Sequence, residues 1–149
     1  MIQLLIIGAL SASQLDCFPL ALFISMRHMG NTVTYDQILQ AAPRGKDYGY
    51  YADPAIVYPL SGNRIQAQGF YSTDLAWIAQ ELQENTPPVM CFDNGNIWHC
   101  VVVQGIDNQM LYLLDATTVK AIQQTDLIQT SPTGPWFIAF DKITQTLGW

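Results

Sequence analysis

Two periodicities divide the chain. From Cys17 to Met29 the apolar residues Leu20, Phe23 and Ile24, with the smaller Ala21, recur at the spacing of an α-helix. Asp16 stands before its start, Pro19 falls in its first turn and Gly30 follows its end. Cys17 therefore sits at the N-terminal edge of a helix. Thr34 is placed to cap a short second helix through "YDQILQAA", which stops at Pro43. Ser72 or Thr73, with Asp74 in the first turn, opens another helix whose apolar face is Leu75, Ile78, Ala79 and Leu82; it ends before Pro87. Residues 43–63 carry Pro, Gly, Tyr and Asp without a sustained period, which predicts an ordered loop.

After Pro88 the pattern changes to short apolar runs. "VMCF", "WHCVVVQGI" and "MLYLLD" are separated by the turn signals "DNGN" and "DNQ", predicting a three-stranded antiparallel meander that "WFIAF" completes. Helices first and strands afterwards is the order of an α+β fold, with the N-terminal helices packed on a C-terminal antiparallel sheet.

At 149 residues the chain is long enough for one core and too short for two with a linker, so residues 1–149 are expected to form a single domain. Half of the residues are apolar and 12% are charged, below the usual quarter, so the surface relies on neutral polar side chains and disorder is not expected. The net charge of −6, with six scattered Lys and Arg residues, speaks against nucleic acid as a partner. No run reaches the roughly 18–20 apolar residues of a membrane span. The opening "MIQLLIIGAL" has no basic residue ahead of its short apolar stretch, so a strand or helix packed on the domain is expected there, with a cryptic export signal as the alternative. Reduced thiols favour a cytoplasmic location. The oligomeric state is not encoded in these patterns.

A thiol attacks as thiolate, so a nucleophilic cysteine needs local positive potential and a nearby base. A helix N-terminus supplies part of that potential through its unpaired N–H groups and macrodipole, which makes Cys17 a candidate; an inert core thiol is the alternative. His99 interrupts an apolar strand, where an imidazole requires hydrogen-bond partners. Strand alternation places it on the face of Val101 and Val103, with Cys100 on the other. Counting across the turn at Asp107–Gln109 sets His99 opposite about residue 117, which brings Asp115 within about two positions of it. A carboxylate there can orient the imidazole; a backbone-satisfied histidine and a turn-capping aspartate are the alternatives.

Other residues read differently. His28 is late in the first helix, roughly 16 Å from Cys17 by helix rise, and reads as a surface or helix-end histidine. Cys91 and Cys100 read as core cysteines on neighbouring strands, with a cross-strand pair as the alternative. No ligand spacing for zinc occurs, and neither a metal nor a cofactor is expected. Trp98 either shields the histidine or lies on the sheet surface. Tyr48, Tyr50, Tyr51 and Tyr58 either anchor the long loop or line a substrate groove.

The cysteine after Asp at a helix head ("QLDCFPLALFISMRHMG"), the "PV" strand leading into "HCVVVQGID", and the Asp sixteen residues beyond the His ("LLDATT") together resemble a family. It is that of the papain-like double-glycine leader peptidases that process bacteriocin precursors, with their stand-alone relatives. The resemblance spans roughly residues 13–118. It implies a papain-like cysteine peptidase fold, Cys17 as nucleophile, His99 as general base and acid, and Asp115 as the group orienting His99. It also implies a peptide or protein substrate cleaved through an acyl-enzyme. Two positions depart from the family pattern. Phe18, a bulky group expected to narrow or reshape the cleft beside the nucleophile, stands where Gly usually follows the cysteine, and Ser11 stands where an oxyanion-hole Gln is usual, leaving Gln14 as the nearest candidate. These departures define an alternative, a degenerate peptidase-like domain that binds a peptide or partner protein without cutting it. A third reading keeps the acyl transfer and changes the substrate to a peptidoglycan stem peptide or another amide.

Overall fold

The computed structural model describes residues 16–45, 50–93, 98–129 and 133–143. Helix α1 (Cys17–His28) is apolar almost all round and is buried accordingly, with Phe18, Leu20, Leu22, Ile24 and Met26 all in the core. Its one mid-helix hydroxyl, Ser25, is satisfied by donating to the Pro87 carbonyl at 3.0 Å. The helix stops as Gly30 anticipates. Gly30 has φ +86°, its N–H donates to Arg27 O, and the Asn31 N–H reaches Met26 O, which closes the last turn. Helix α2 (Tyr35–Ala41) begins at Thr34, whose hydroxyl accepts from the Gln37 N–H while the Gln37 side chain accepts from the Thr34 N–H.

The segment expected to be a plain loop contains a 3-10 turn (Pro54–Ile56) and a one-turn helix α3 (Val57–Leu60), started by Asp53 accepting from the Ala55 N–H. It leads into strand β1 (Ile65–Tyr71), which the hydrophobic pattern did not mark. Two glutamines alternate with small residues in β1, and an edge strand can be that polar. Helix α4 (Trp77–Gln83) starts later than expected. Asp74 still caps its approach, accepting from the Ala76 N–H, but Leu75 lies ahead of the helix.

The expected meander is present as β2 (Val89–Asp93), β3 (Trp98–Ile106) and β4 (Met110–Asp115), and β6 (Trp136–Lys142) completes the sheet where "WFIAF" stands. Strand β5 (Thr118–Gln123) and the short helix α5 (Gln124–Gln129) come between. The sheet is antiparallel throughout, in the order β1-β6-β2-β3-β4-β5. β5 is largely solvent-exposed on the outer edge, so it carries no apolar alternation for a sequence reading to find.

Both faces of the sheet are covered. α1 packs on the face bearing Val89, Cys91, Cys100, Val102, Leu114 and Ile138. Leu75 together with Ile78 and Leu82 of α4 and Leu127 of α5 packs on the face bearing Met90, Val101, Val103, Leu113 and Phe137. This double burial is why β3 reads as a nearly continuous apolar run. Cys91 and Cys100 are directly opposite in the β2–β3 register and form a buried disulfide, so the cross-strand alternative describes them and the free-thiol reading does not. Among the described residues, no helix is long and apolar enough to cross a membrane.

Candidate active site

Three elements deliver the candidate residues to one place. Cys17 is the first residue of α1, His99 the second of β3 and Asp115 the last of β4. α1 crosses β3 so that the Cys17 thiol lies 3.9 Å from the Trp98 carbonyl oxygen, a long contact that places it at the start of the strand. The Val102↔Leu114 pair extends to put residue 117 opposite His99, the position the hairpin count gives; the pairing beside the turn, Ile106↔Leu111, is one residue off that count, and a β-bulge between Val103 and Gly105 makes up the difference. Asp115 is then the diagonal neighbour of His99 on the same face. The His99 Nε2 stands 2.9 Å from Asp115 Oδ1. With Nε2 engaged, Nδ1 is the ring nitrogen left to interact with the Cys17 side chain, which acts on His99 as a hydrogen-bonding neighbour.

The electrostatics follow from these contacts. The hydrogen bond with Cys17 is the largest influence on His99 and raises its pKa above the usual imidazole value. Burial opposes this, and the hydrogen bond and negative charge of Asp115 add to the rise. Burial alone would push the Asp115 carboxyl up. Hydrogen bonds from Lys120 and His99, with the charges behind them, outweigh burial and hold it below the usual carboxylate range. The His99 and Asp115 side chains are 13% and 20% exposed, so the pair is sheltered but reachable from solvent. Phe92, opposite His99 in β2, meets the imidazole edge-to-face at 5.8 Å and supplies an apolar wall.

Phe18 does not behave as its position beside the cysteine suggests. Its ring is 1% exposed and lies in the core with Leu22, Cys91, Cys100 and Val102, so it points inward and does not narrow the approach to Cys17. Helical geometry is the reason: adjacent helix residues project about 100° apart, so a half-exposed Cys17 and a buried Phe18 are compatible. Gln14 and Ser11 lie outside the described residues, as do the apolar N-terminal stretch and Tyr48. Trp98 is 42% exposed, which fits the sheet-surface alternative; what approaches the thiol is its carbonyl. Of the other tyrosines, Tyr50 holds the loop, stacking under the Arg44 guanidinium and accepting from it at 3.3 Å, while Tyr51 is exposed. Tyr58 lines a groove of about 690 Å³ at the opposite edge of the sheet, with Gln66, Phe70, Trp77, Glu81 and Asp141. That groove contains none of Cys17, His99 and Asp115. His28 is the last residue of α1, as the helix-end reading has it, but it is half-buried, and its Nε2 has no hydrogen-bond partner among the described residues.

Two contributors were not anticipated. Tyr35 has its pKa pushed up to about 12 by burial, by the Asp16 and Tyr50 charges, and by its hydrogen bond to the Asp16 carboxylate. That bond ties the start of α2 to the residue immediately before Cys17. Lys120, on the unanticipated strand β5, lies 2.8 Å from Asp115 Oδ2. The one signal available for Lys120 was its distance of five residues from Asp115 across a short turn.

No protein-family model and no curated protein matches the sequence. Three solved structures share its fold over most of both chains. The peptidase domain of Streptococcus ComA, a bifunctional ABC transporter of a quorum-sensing pathway, matches with a TM-score of 0.64 and 16% identity, over 89% of this chain and 96% of that one. A double-glycine-motif protease from an AMS/PCAT transporter, solved with a leader peptide, matches at 0.60 and 17% over 89% of each chain. A protein described as a C39-like peptidase from Bacillus anthracis matches at 0.60 and 12%, over 95% and 98%. At these identities the likeness is one of architecture: the chain has the papain-like fold of C39 peptidase domains, and the resemblance first read from "LDCF", "WHC" and "LLDATT" holds at the level of fold.

Proposed function

We propose that the chain is a cysteine peptidase in which Cys17 is the nucleophile, His99 the general base and acid, and Asp115 the group that orients His99. The observation that carries this reading is the His99 Nε2 contact with Asp115 Oδ1 at 2.9 Å, made where the Cys17 thiol, 3.9 Å from the Trp98 carbonyl, reaches the start of the same strand. The thiol proton passes to Nδ1, and Sγ attacks the carbonyl carbon of the scissile amide. The oxygen of the tetrahedral intermediate is met by backbone N–H groups at the head of α1, with Gln14 as the candidate side-chain donor. Nδ1–H then protonates the leaving amine, the C–N bond breaks and a thioester remains. Water, deprotonated by His99, attacks that thioester, and Sγ departs with the acid product released. Asp115 keeps the tautomer with hydrogen on Nε2 and stabilises the imidazolium.

A peptide substrate is supported by the leader peptide bound to the structurally similar protease from the AMS/PCAT transporter. The non-cleaving alternative rested partly on Phe18 occluding the cysteine, and a ring buried in the core removes that support. With Cys91 and Cys100 paired, Cys17 is the one free thiol of three, so a thiol-directed inhibitor reports on it alone under non-reducing conditions. Wild type is expected to be labelled and to hydrolyse members of a diverse peptide library, and Cys17→Ala to do neither. Equal labelling of the two would sink the assignment; labelling of wild type without hydrolysis would favour the binding reading.

A further inference from the structure

We propose that Lys120 is a positioning residue that clamps the Asp115 carboxylate in the orientation from which it accepts a hydrogen bond from His99. A carboxylate turns readily about its terminal torsion, which has broad, roughly two-fold minima. A single partner leaves the second oxygen free to exchange with the first. Here both are held: Oδ1 by His99 Nε2 at 2.9 Å and Oδ2 by Lys120 Nζ at 2.8 Å, from two different strands. The groups around the carboxylate are thus His99 from β3 and Lys120 from β5, with Cys17 of α1 on the far side of the imidazole.

The backbone makes this arrangement a property of the hairpin. Asp115 pairs with Thr118 and Leu113 with Lys120, so Lys120 is diagonal to Asp115 on one face. The two residues between, Ala116 and Thr117, close the turn, and Ala116 adopts φ +56°, a region that non-glycine residues enter at a cost. The strained turn brings Lys120 back over the carboxylate. Its side chain is 59% exposed, and an exposed ion pair of this kind adds little to folding stability. Its consequence is therefore directional, and a variant at this position is expected to fold.

The role in turnover rests on the proposed hydrolysis; the clamp itself does not. The test compares wild type, Lys120→Met and Lys120→Arg as full chains by two readouts. The first is the downfield proton resonance of the hydrogen-bonded His99 Nε2–H in nitrogen-edited NMR. It is expected in wild type and in Lys120→Arg, and lost to exchange broadening in Lys120→Met. The second is steady-state hydrolysis of a peptide that wild type cleaves: kcat is expected to fall about tenfold in Lys120→Met with KM unchanged, because the loss is one of orientation, and to recover in Lys120→Arg. A resonance unchanged by Lys120→Met, or lost equally in Lys120→Arg, overturns the proposal, as does an unaltered kcat in Lys120→Met. A wild-type chain that hydrolyses nothing counts against the proposed function alone, and the resonance then decides the clamp by itself.

Discussion

Replacing Phe18 by Ala separates the two roles that its place beside Cys17 suggests. The ring is 1% exposed and belongs to the core between α1 and the sheet, so its removal leaves a cavity under the helix that carries the thiol. A buried Phe→Ala change costs about 3–5 kcal/mol, the lost transfer energy plus the cavity. Against a total stability of about 5–15 kcal/mol for a typical domain, that is a large share. For a chain of this length each kcal/mol lowers Tm by about 2–4 °C, so a fall of about 10 °C is expected. Urea unfolding followed by tryptophan fluorescence, with calorimetry, gives the stability. The rate of Cys17 alkylation by a small reagent, taken where both proteins are folded, gives access to the thiol. The expected outcome is a large loss of stability with an alkylation rate within about threefold of wild type, since the helix head keeps its place. A stability change within about 0.5 kcal/mol, the scale of ordinary surface substitutions, accompanied by sharply faster alkylation, would refute the reasoning and put the ring in the cleft.

Asp115→Asn keeps an acceptor on His99 but removes the charge, so the imidazolium loses part of what raises its pKa; the alkaline fall of the pH–rate profile is expected to move to lower pH, with less than about a tenfold loss at the optimum. The two histidines pull stability in opposite directions with pH. His99, raised on folding, contributes stability that is present below the ordinary value of 6.5 and is lost as pH rises through its folded value. His28, lowered chiefly by burial, contributes stability that is present above 6.5 and is lost as pH falls below it, so urea midpoints for His28→Gln are expected to flatten on the acid side only. Breaking the Cys91–Cys100 disulfide by Cys91→Ala with Cys100→Ala frees the roughly ten-residue loop it closes. It is expected to cost about 2–3 kcal/mol in urea unfolding without loss of the native circular dichroism. Gly134→Ala sets a methyl group against the Ser72 backbone at φ +79°, and soluble expression is expected to drop with it.

What the sequence determined by itself is what short-range geometry controls. The end of α1 at Gly30, the Thr34–Gln37 cap and the runs of β2, β3 and β4 are each decided within a few residues, because helix and strand periods and turn chemistry are local. The His99–Asp115 pairing was only partly local: the pairing beside the turn, Ile106↔Leu111, is one residue off the count, and the β-bulge between Val103 and Gly105 restores the register that puts the two side chains on one face. The tertiary structure decided whatever joins distant segments or depends on which way a side chain turns. β1 pairs with β6 across some seventy residues, and edge strands such as β1 and β5 carry too little apolar alternation to be marked in advance. Phe18 reads as an obstruction next to Cys17 until the helix is docked, and only the sheet beneath α1 makes its direction inward. Cys91 and Cys100 became a pair through direct opposition in β2 and β3, where the spacing alone favoured two core cysteines and left the pair as the alternative. The meeting of Cys17 with His99, and the hold of Lys120 on Asp115, required α1, β3, β4 and β5 to be packed together, because hydrogen bonds act over about 3 Å and neither contact exists until the core between those elements has formed.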